Sequence, residues 1–279
     1  MIELANTNYN LASDAPSKSI EFGASIRASG ITKIYGNDQD AFHALGPIDL
    51  EIKSGEFVSL IGPSGCGKST TLLIVSGLEK VSQGYVEINS EPLSRPISEV
   101  GIVFQDHLLL EFRTAIRNVM LQQEIRGLNR KEYQEKANNL FEKLGLKGFE
   151  NKYPKQLSGG MRQRVSIARA LIHNPSMLLM DEPFGALDAI TRTQIRHDLE
   201  ILWLETKKTV LFITHSIEEA VGLSDRVLVM STSPGKIIDE IKIDLPRPRP
   251  AHLGDYPEFS SYSKRIYNIF ERLGIYRFK

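Results

Sequence analysis

The sequence predicts an α/β protein in which a largely parallel sheet is covered by helices. Five short apolar runs, Phe57–Ile61, Val100–Phe104, Met177–Met180, Thr209–Ile213 and Arg226–Met230, have the length and composition of strands buried on both faces. Longer amphipathic stretches separate them, which is the alternation that builds a parallel sheet with helices packed on it. Between Asp106 and Gln156 the pattern changes to charged, helical sequence such as Arg130–Leu144, and this predicts a helical subdomain at about 106–160 inserted into the core.

The elements follow in chain order. Residues 1–23 are polar and carry little hydrophobic periodicity, so they read as a flexible extension. The segment has neither a basic start nor an apolar run, so no secretory signal is expected and the protein is placed in the cytoplasm. Ordered structure is expected from Ala24, and the main domain spans 24–245. The segment Leu245-Pro-Arg-Pro-Arg-Pro250 ends it, because alternate prolines remove backbone donors and fix φ. It reads as a stiff Pro/Arg linker opening a tail over 246–279, where Ile266, Ile269, Phe270 and Leu273 at helical spacing predict one amphipathic helix.

Composition bounds the function. The chain has 279 residues, with 34 basic and 34 acidic side chains. That balance gives no general positive field, so no nucleic-acid partner is expected, and any anion must be held by a local site. No apolar run approaches the roughly 20 residues that span a bilayer, so any membrane association depends on other subunits. Cys66 stands alone, which excludes an internal disulfide. His43, His107, His173, His197 and His252 have no metal-like spacing and are assigned to surface or packing roles.

Gly62-Pro-Ser-Gly-Cys-Gly-Lys-Ser69 carries the first chemistry. It follows a buried strand and leads into a helix at Ser69–Ser76, which is the context of a phosphate-binding loop. Gly62, Gly65 and Gly67 let the loop curl so that its N–H groups point inward, with Pro63, Ser64 and Cys66 completing the turn. Lys68 is placed to reach the β- and γ-phosphates of a nucleotide, Ser69 to ligate Mg²⁺, and Thr70 to donate to the α/β-phosphates.

Asp181 and Glu182 end the strand Met177–Met180, and ligands of open α/β sheets sit at the carboxyl ends of strands. Asp181 suits support of Mg²⁺, and Glu182 suits polarisation of the water that attacks the γ-phosphate. Alone, such a pair also reads as a helix cap or solvated turn. His215 and Gln105 each follow a predicted strand, so His215 could donate to the γ-phosphate and Gln105 could touch both Mg²⁺ and the attacking water. Leu157-Ser-Gly-Gly-Met-Arg-Gln-Arg164 then leads into a helix over Val165–Ile172. Ser158 has N-cap chemistry, and the amides of Gly159 and Gly160 can approach a second phosphate, best read as one held by another molecule. A simple capped helix is the alternative for that element alone.

In order and spacing these motifs, with Gly185-Ala-Leu-Asp188, resemble the P-loop, Q-loop, signature, Walker B, D-loop and switch histidine of ABC ATPases over about 26–245. The resemblance implies a P-loop NTPase (RecA-like) core with an antiparallel β part and the helical insertion. It also implies that two subunits pair head to tail as a homodimer or paired ATPase subunits. They then sandwich two ATP molecules with Mg²⁺, each held by one P-loop and the partner's Ser158-Gly159-Gly160 counterpart. Tyr35 matches the aromatic residue on which adenine stacks, and Asp188 matches the residue that communicates across the dimer.

Phe184–Thr191, Ile213–Ala220 and Asp244–Arg249 resemble the ATPases of nitrate, sulfonate, taurine and bicarbonate importers, with Leu110-Glu-Phe-Arg113 departing from that group's pattern. The implied setting is the cytoplasmic face of the inner (plasma) membrane, as a peripheral subunit with transmembrane permease partners. A periplasmic or extracellular solute-binding protein belongs to the same system. The alternative is a soluble ABC ATPase acting on a non-membrane partner.

Overall fold

The computed structural model describes residues 23–37, 40–250 and 252–275. The expected extension at 1–22 lies outside them. Gly23 itself is packed: a Cβ there would lie 2.2 Å from Thr209 Oγ1.

A six-stranded sheet forms the centre. Its strands are β3 (Phe57–Ile61), β6 (Val100–Val103), β7 (Met177–Asp181), β8 (Thr209–Thr214), β9 (Arg226–Met230) and β10 (Ile237–Lys242). The order is β10-β9-β3-β8-β7-β6, parallel throughout except for β10 on the edge. All five predicted strands are present. Phe57–Ile61 is buried at every position, and its one polar side chain, Ser59, is matched by a hydrogen bond to Ser224.

The antiparallel part is a second sheet of β1 (Ile26–Tyr35), β2 (Phe42–Ile52), β4 (Gln83–Ile88) and β5 (Glu91–Pro92), ordered β2-β1-β4-β5. Ile26, Ile31, Ile48, Leu50 and Ile52 face inward from it and close a core with Val58, Leu60, Leu72 and Leu211 of the central layer. Helix α1 (Lys68–Val75) lies in that layer. The inserted region contains α2 (Ala115–Val119), α3 (Leu121–Arg126) and α4 (Arg130–Lys143), and α5 (Gly159–Leu171) joins it to the sheet. Val119, Phe141, Val165, Ile167, Met180 and Phe212 share one core across that junction. Helix α5 begins at Gly159, one turn and more before the expected Val165, because Ser158 caps it by accepting from Met161 N at 3.2 Å.

Helices α6 (Ala189–Thr206) and α7 (Ile217–Leu223) are capped by Asp188 and Ser216, and α8 (Pro257–Arg272) buries Ile266, Ile269 and Phe270 against α7, β9 and β10. The Pro/Arg segment lies against the core through its arginines. Arg249 is 3 % exposed and donates to Val221 O and Ser224 O, while Arg247 pairs with Glu200 at 2.8 Å and Asp225 at 2.9 Å. Prolines prevent secondary structure there, but they do not prevent packing by the arginines between them. Among the described residues no helix is long and apolar enough to cross a membrane.

Candidate active site

The parallel strands deliver their C-terminal ends to one edge, and the chemical groups collect there. Strand β3 ends at Ile61 and the loop Gly62–Gly67 turns into α1. Gly65 and Gly67 have φ of 76° and 93°, a region that L side chains rarely adopt. A Cβ on Gly67 would also lie 2.3 Å from Leu45 Cδ2, so the loop is closed from behind by β2. Lys68 is buried and its ammonium donates to the carbonyls of Gly62 and Pro63, both at 2.9 Å. The loop is thus folded around its own lysine, which faces the space between the loop and Glu182 at 3.9 Å. Ser64, Gly65 and Ser69 are exposed beside it, where a phosphate can approach.

Glu182 follows β7 with φ of 43°, an unusual conformation for a residue with a Cβ. Its N–H donates to Ile213 O at 2.9 Å and its carbonyl accepts from Gly185 N at 3.2 Å. These bonds turn the chain sharply and aim the carboxylate sideways at β8. There Glu182 Oε2 lies 3.0 Å from His215 Nδ1, with the ring N–H as donor to the carboxylate. Three sequence-predicted groups, Lys68, Glu182 and His215, therefore meet at the ends of β3, β7 and β8.

Asp181 is half-buried next to them. Burial pushes its carboxyl above the ordinary aspartate range, a nearby Ser69 hydroxyl pulls it back, and the charge of Glu182 pushes in the same direction as burial. The Lys68 charge also pulls it down, and a half-buried carboxylate at this edge is suited to a hard metal ion. The oxygen donors of Ser69 and Asp181 fit Mg²⁺, and Gln105, exposed two residues beyond β6, adds an amide oxygen at the same sheet edge. Tyr35 lies at the end of β1, more than a third exposed, with the Lys33 ammonium 4.8 Å from its ring centroid.

Ser158, Gly159 and Gly160 stand apart as the start of α5. Ser158 is exposed, and Gly160 is packed so closely that a Cβ would lie 2.4 Å from Thr191 Cγ2. Sequence reasoning did not find the contacts that tie α5 to the Q-loop: Gln163 Oε1 lies 2.7 Å from His107 Nδ1, and Arg169 donates to His107 O and Leu108 O. Gln163 is fully buried, which only the structure reveals. The Cys66 thiol is fully buried against Met230 Sδ at 4.0 Å, and burial raises its pKa.

Comparison with known proteins agrees with this geometry. The ABC transporter family model matches residues 45–185. The chain is 44% identical over 246 residues to an uncharacterized ABC transporter ATP-binding protein of Methanocaldococcus jannaschii, covering 88% of this chain and 91% of that one. It is 39% identical over 250 residues to the aliphatic sulfonates import ATP-binding protein SsuB of Bacillus cereus, covering 90% and 97%. A dimeric bacterial ABC transporter cassette superposes with a TM-score of 0.71 at 35% identity, over 79% of this chain and 100% of that one. The same cassette in a post-hydrolysis state with ADP and Pi gives 0.70 at 34% identity over the same shares. The chain belongs to the family of ABC transporter ATP-binding proteins, and it is an ATPase whose hydrolysis is coupled to transport.

Proposed function

We propose that this chain is the ATPase subunit of an importer, working as a head-to-tail pair on separate permease subunits to take up a small anion of the sulfonate, nitrate, taurine or bicarbonate kind. The observation that carries the catalytic reading is the position of Glu182, between Lys68 at 3.9 Å and His215 at 3.0 Å at the rim of the phosphate loop. In this reading Gly62–Thr70 wrap the phosphates and Lys68 exchanges its loop carbonyls for phosphate oxygens. Glu182 orients and polarises the attacking water, His215 holds the carboxylate in place and reaches the γ-phosphate, and Gln105 lies against the water and the metal. Ser69, Asp181 and Gln105 would hold Mg²⁺, which would neutralise charge on the phosphate oxygens. Tyr35 offers the adenine a face to stack on.

The Ser158–Gly160 helix start, exposed at Ser158 and half-buried at Gly159, suits the γ-phosphate of an ATP held by a second copy. The permease partner is supported by a groove of about 440 Å³ bordered by Leu78, Ile102, Phe104, Leu108 and Leu121. Phe112, four residues after Leu108 of that groove, is 76% exposed and offers an apolar side chain to a partner. Arg113, where the sequence departs from the importer pattern, is paired with Glu124 of α3, so Glu111 and Phe112 are left to meet the partner. Sulfonate as the anion is supported by the name of the Bacillus cereus relative. The peripheral position on the cytoplasmic face, and a solute-binding protein on the other side, follow from the importer reading.

The test is recovery of the tagged chain from membranes of its native cell in mild detergent. A polytopic permease in stoichiometric amount is the expected companion, and ATPase activity of the reconstituted complex should rise with a loaded sulfonate-binding protein. Recovery of soluble partners alone would replace the importer with an ABC ATPase acting on a non-membrane partner.

A further inference from the structure

Glu219 is an ionisable side chain, 5% exposed, that the hydrolytic roles leave unused. It sits in the first turn of α7, four residues after His215. Oε2 accepts a hydrogen bond from the hydroxyl of Thr214, the last residue of β8, and that hydroxyl accepts from Ser216 N at 3.0 Å. Glu219 N donates in turn to Ser216 Oγ at 3.3 Å. Both backbone neighbours of His215 are therefore fixed by a single buried carboxylate and its helix.

The other carboxylate oxygen faces a different loop. Oε1 lies 3.7 Å from Arg192 Nε, and that Nε is buried with no hydrogen-bond partner. The same guanidinium donates through Nη2 to Leu187 O at 2.9 Å. Leu187 lies in the D-loop, Gly185–Asp188, and Asp188 caps α6, which carries Arg192. Arg192 thus has one nitrogen on the D-loop backbone and another opposite the carboxylate that holds the histidine segment. A buried, unmatched N–H beside a buried carboxylate is costly as it stands and gains energy if the two close by less than an ångström.

We propose that Arg192 and Glu219 are positioning residues for hydrolysis: they couple the D-loop to the Thr214–Ser216 segment, so that a partner pressing on the D-loop sets His215 against Glu182. This rests on the roles given above to Glu182 and His215. The relay acts on geometry alone and transfers no proton to substrate. It explains why an acid is buried at this point, since a carboxylate can accept from Thr214 with one oxygen while it faces a guanidinium with the other.

A double-mutant cycle of Arg192→Met and Glu219→Gln in the full chain tests it, with Glu182→Gln as the control. Each single variant should lower kcat roughly 3- to 30-fold while KM for ATP stays within about two-fold. The double variant should be no slower than the slower single one. In the Glu182→Gln background both changes should still allow dimerisation driven by ATP, seen by size-exclusion chromatography, because binding does not pass through the relay. Unchanged kcat in Arg192→Met, losses that multiply in the double variant, or a raised KM at constant kcat would each overturn the coupling. If Glu182→Gln hydrolyses ATP at the wild-type rate, the site assignment itself fails and the relay falls with it. Arg192 is partly exposed, so its variant keeps the test open even if Glu219→Gln folds poorly.

Discussion

At the scale of single residues, environment decides what each group can do. Cys66 sits in the middle of the phosphate loop, and its position in the sequence predicts a thiol that reagents reach and that ATP protects. The structure places Sγ inside the core between the loop and β9, where burial also disfavours the thiolate. Labelling by a bulky disulfide reagent should therefore run at least about 100-fold slower than with a free thiol, in proportion to the fraction of thiol exposed by opening. Fast labelling without nucleotide would mean that the loop opens readily in solution. Asp181 carries the opposite lesson. Its raised pKa means that the folded chain binds this proton more tightly than the unfolded one, so the ionised carboxylate lowers stability above the folded-state value. Asp181→Asn should raise the thermal midpoint of the nucleotide-free protein at neutral pH, and the gain should vanish as pH falls through that value. Calorimetry across about pH 4–8 without Mg²⁺ measures this, and the same variant should lose the stabilisation that Mg-ATP gives the parent.

At the scale of elements, the legible parts of the chain were those whose burial is one-dimensional. Phe57–Ile61 or Met177–Met180 is apolar at successive positions because both faces are covered, and such runs need no partner to be recognised. The phosphate loop, the Asp181-Glu182 turn and the Ser158 cap were legible because each is a local backbone device with a fixed residue requirement. Strands β1 and β2 were implied only by family resemblance. Their register shifts at Ala28/Ile31 and Ile31/Lys33 break the alternation of inward and outward side chains, so no clean period survives in the sequence. The Pro/Arg segment was opaque for another reason. Its anchors are arginines, whose composition reads as solvent-exposed, yet Glu200 on α6 and Asp225 before β9 lie close enough to neutralise Arg247. Glu200 is 2% exposed, so removing its cation leaves a buried charge. Arg247→Met should cost about 2–4 kcal/mol in urea unfolding, although it lies far from the nucleotide site. A loss below about 0.5 kcal/mol would show that Arg196 and Arg249, whose charges also act on Glu200, suffice without Arg247, the Arg249 backbone N–H donating to Glu200 at 2.9 Å.

At the scale of the whole molecule, the proposed head-to-tail pair would have each chain present half of two different sites. Its phosphate loop, Lys68 and Glu182 gather at the ends of β3 and β7, while the Ser158–Gly160 helix start is carried by α5 at the junction with the helical insertion. If ATP is held between these two surfaces on separate copies, defects in them must complement each other between subunits. Lys68→Ala removes the phosphate cation of one surface and Ser158→Arg blocks the other, and each variant alone should hydrolyse ATP at a small fraction of the parental rate. Mixing them in equal amounts produces heterodimers with one site doubly defective and the other wholly intact. Half of the dimers then carry one working site of two, so the mixture should recover on the order of a quarter of the parental turnover. Recovery should rise with total concentration, because it depends on association. An activity that stays at the level of the two separate variants would mean that loop and helix start serve the same nucleotide within one chain, and the head-to-tail arrangement would have to be abandoned.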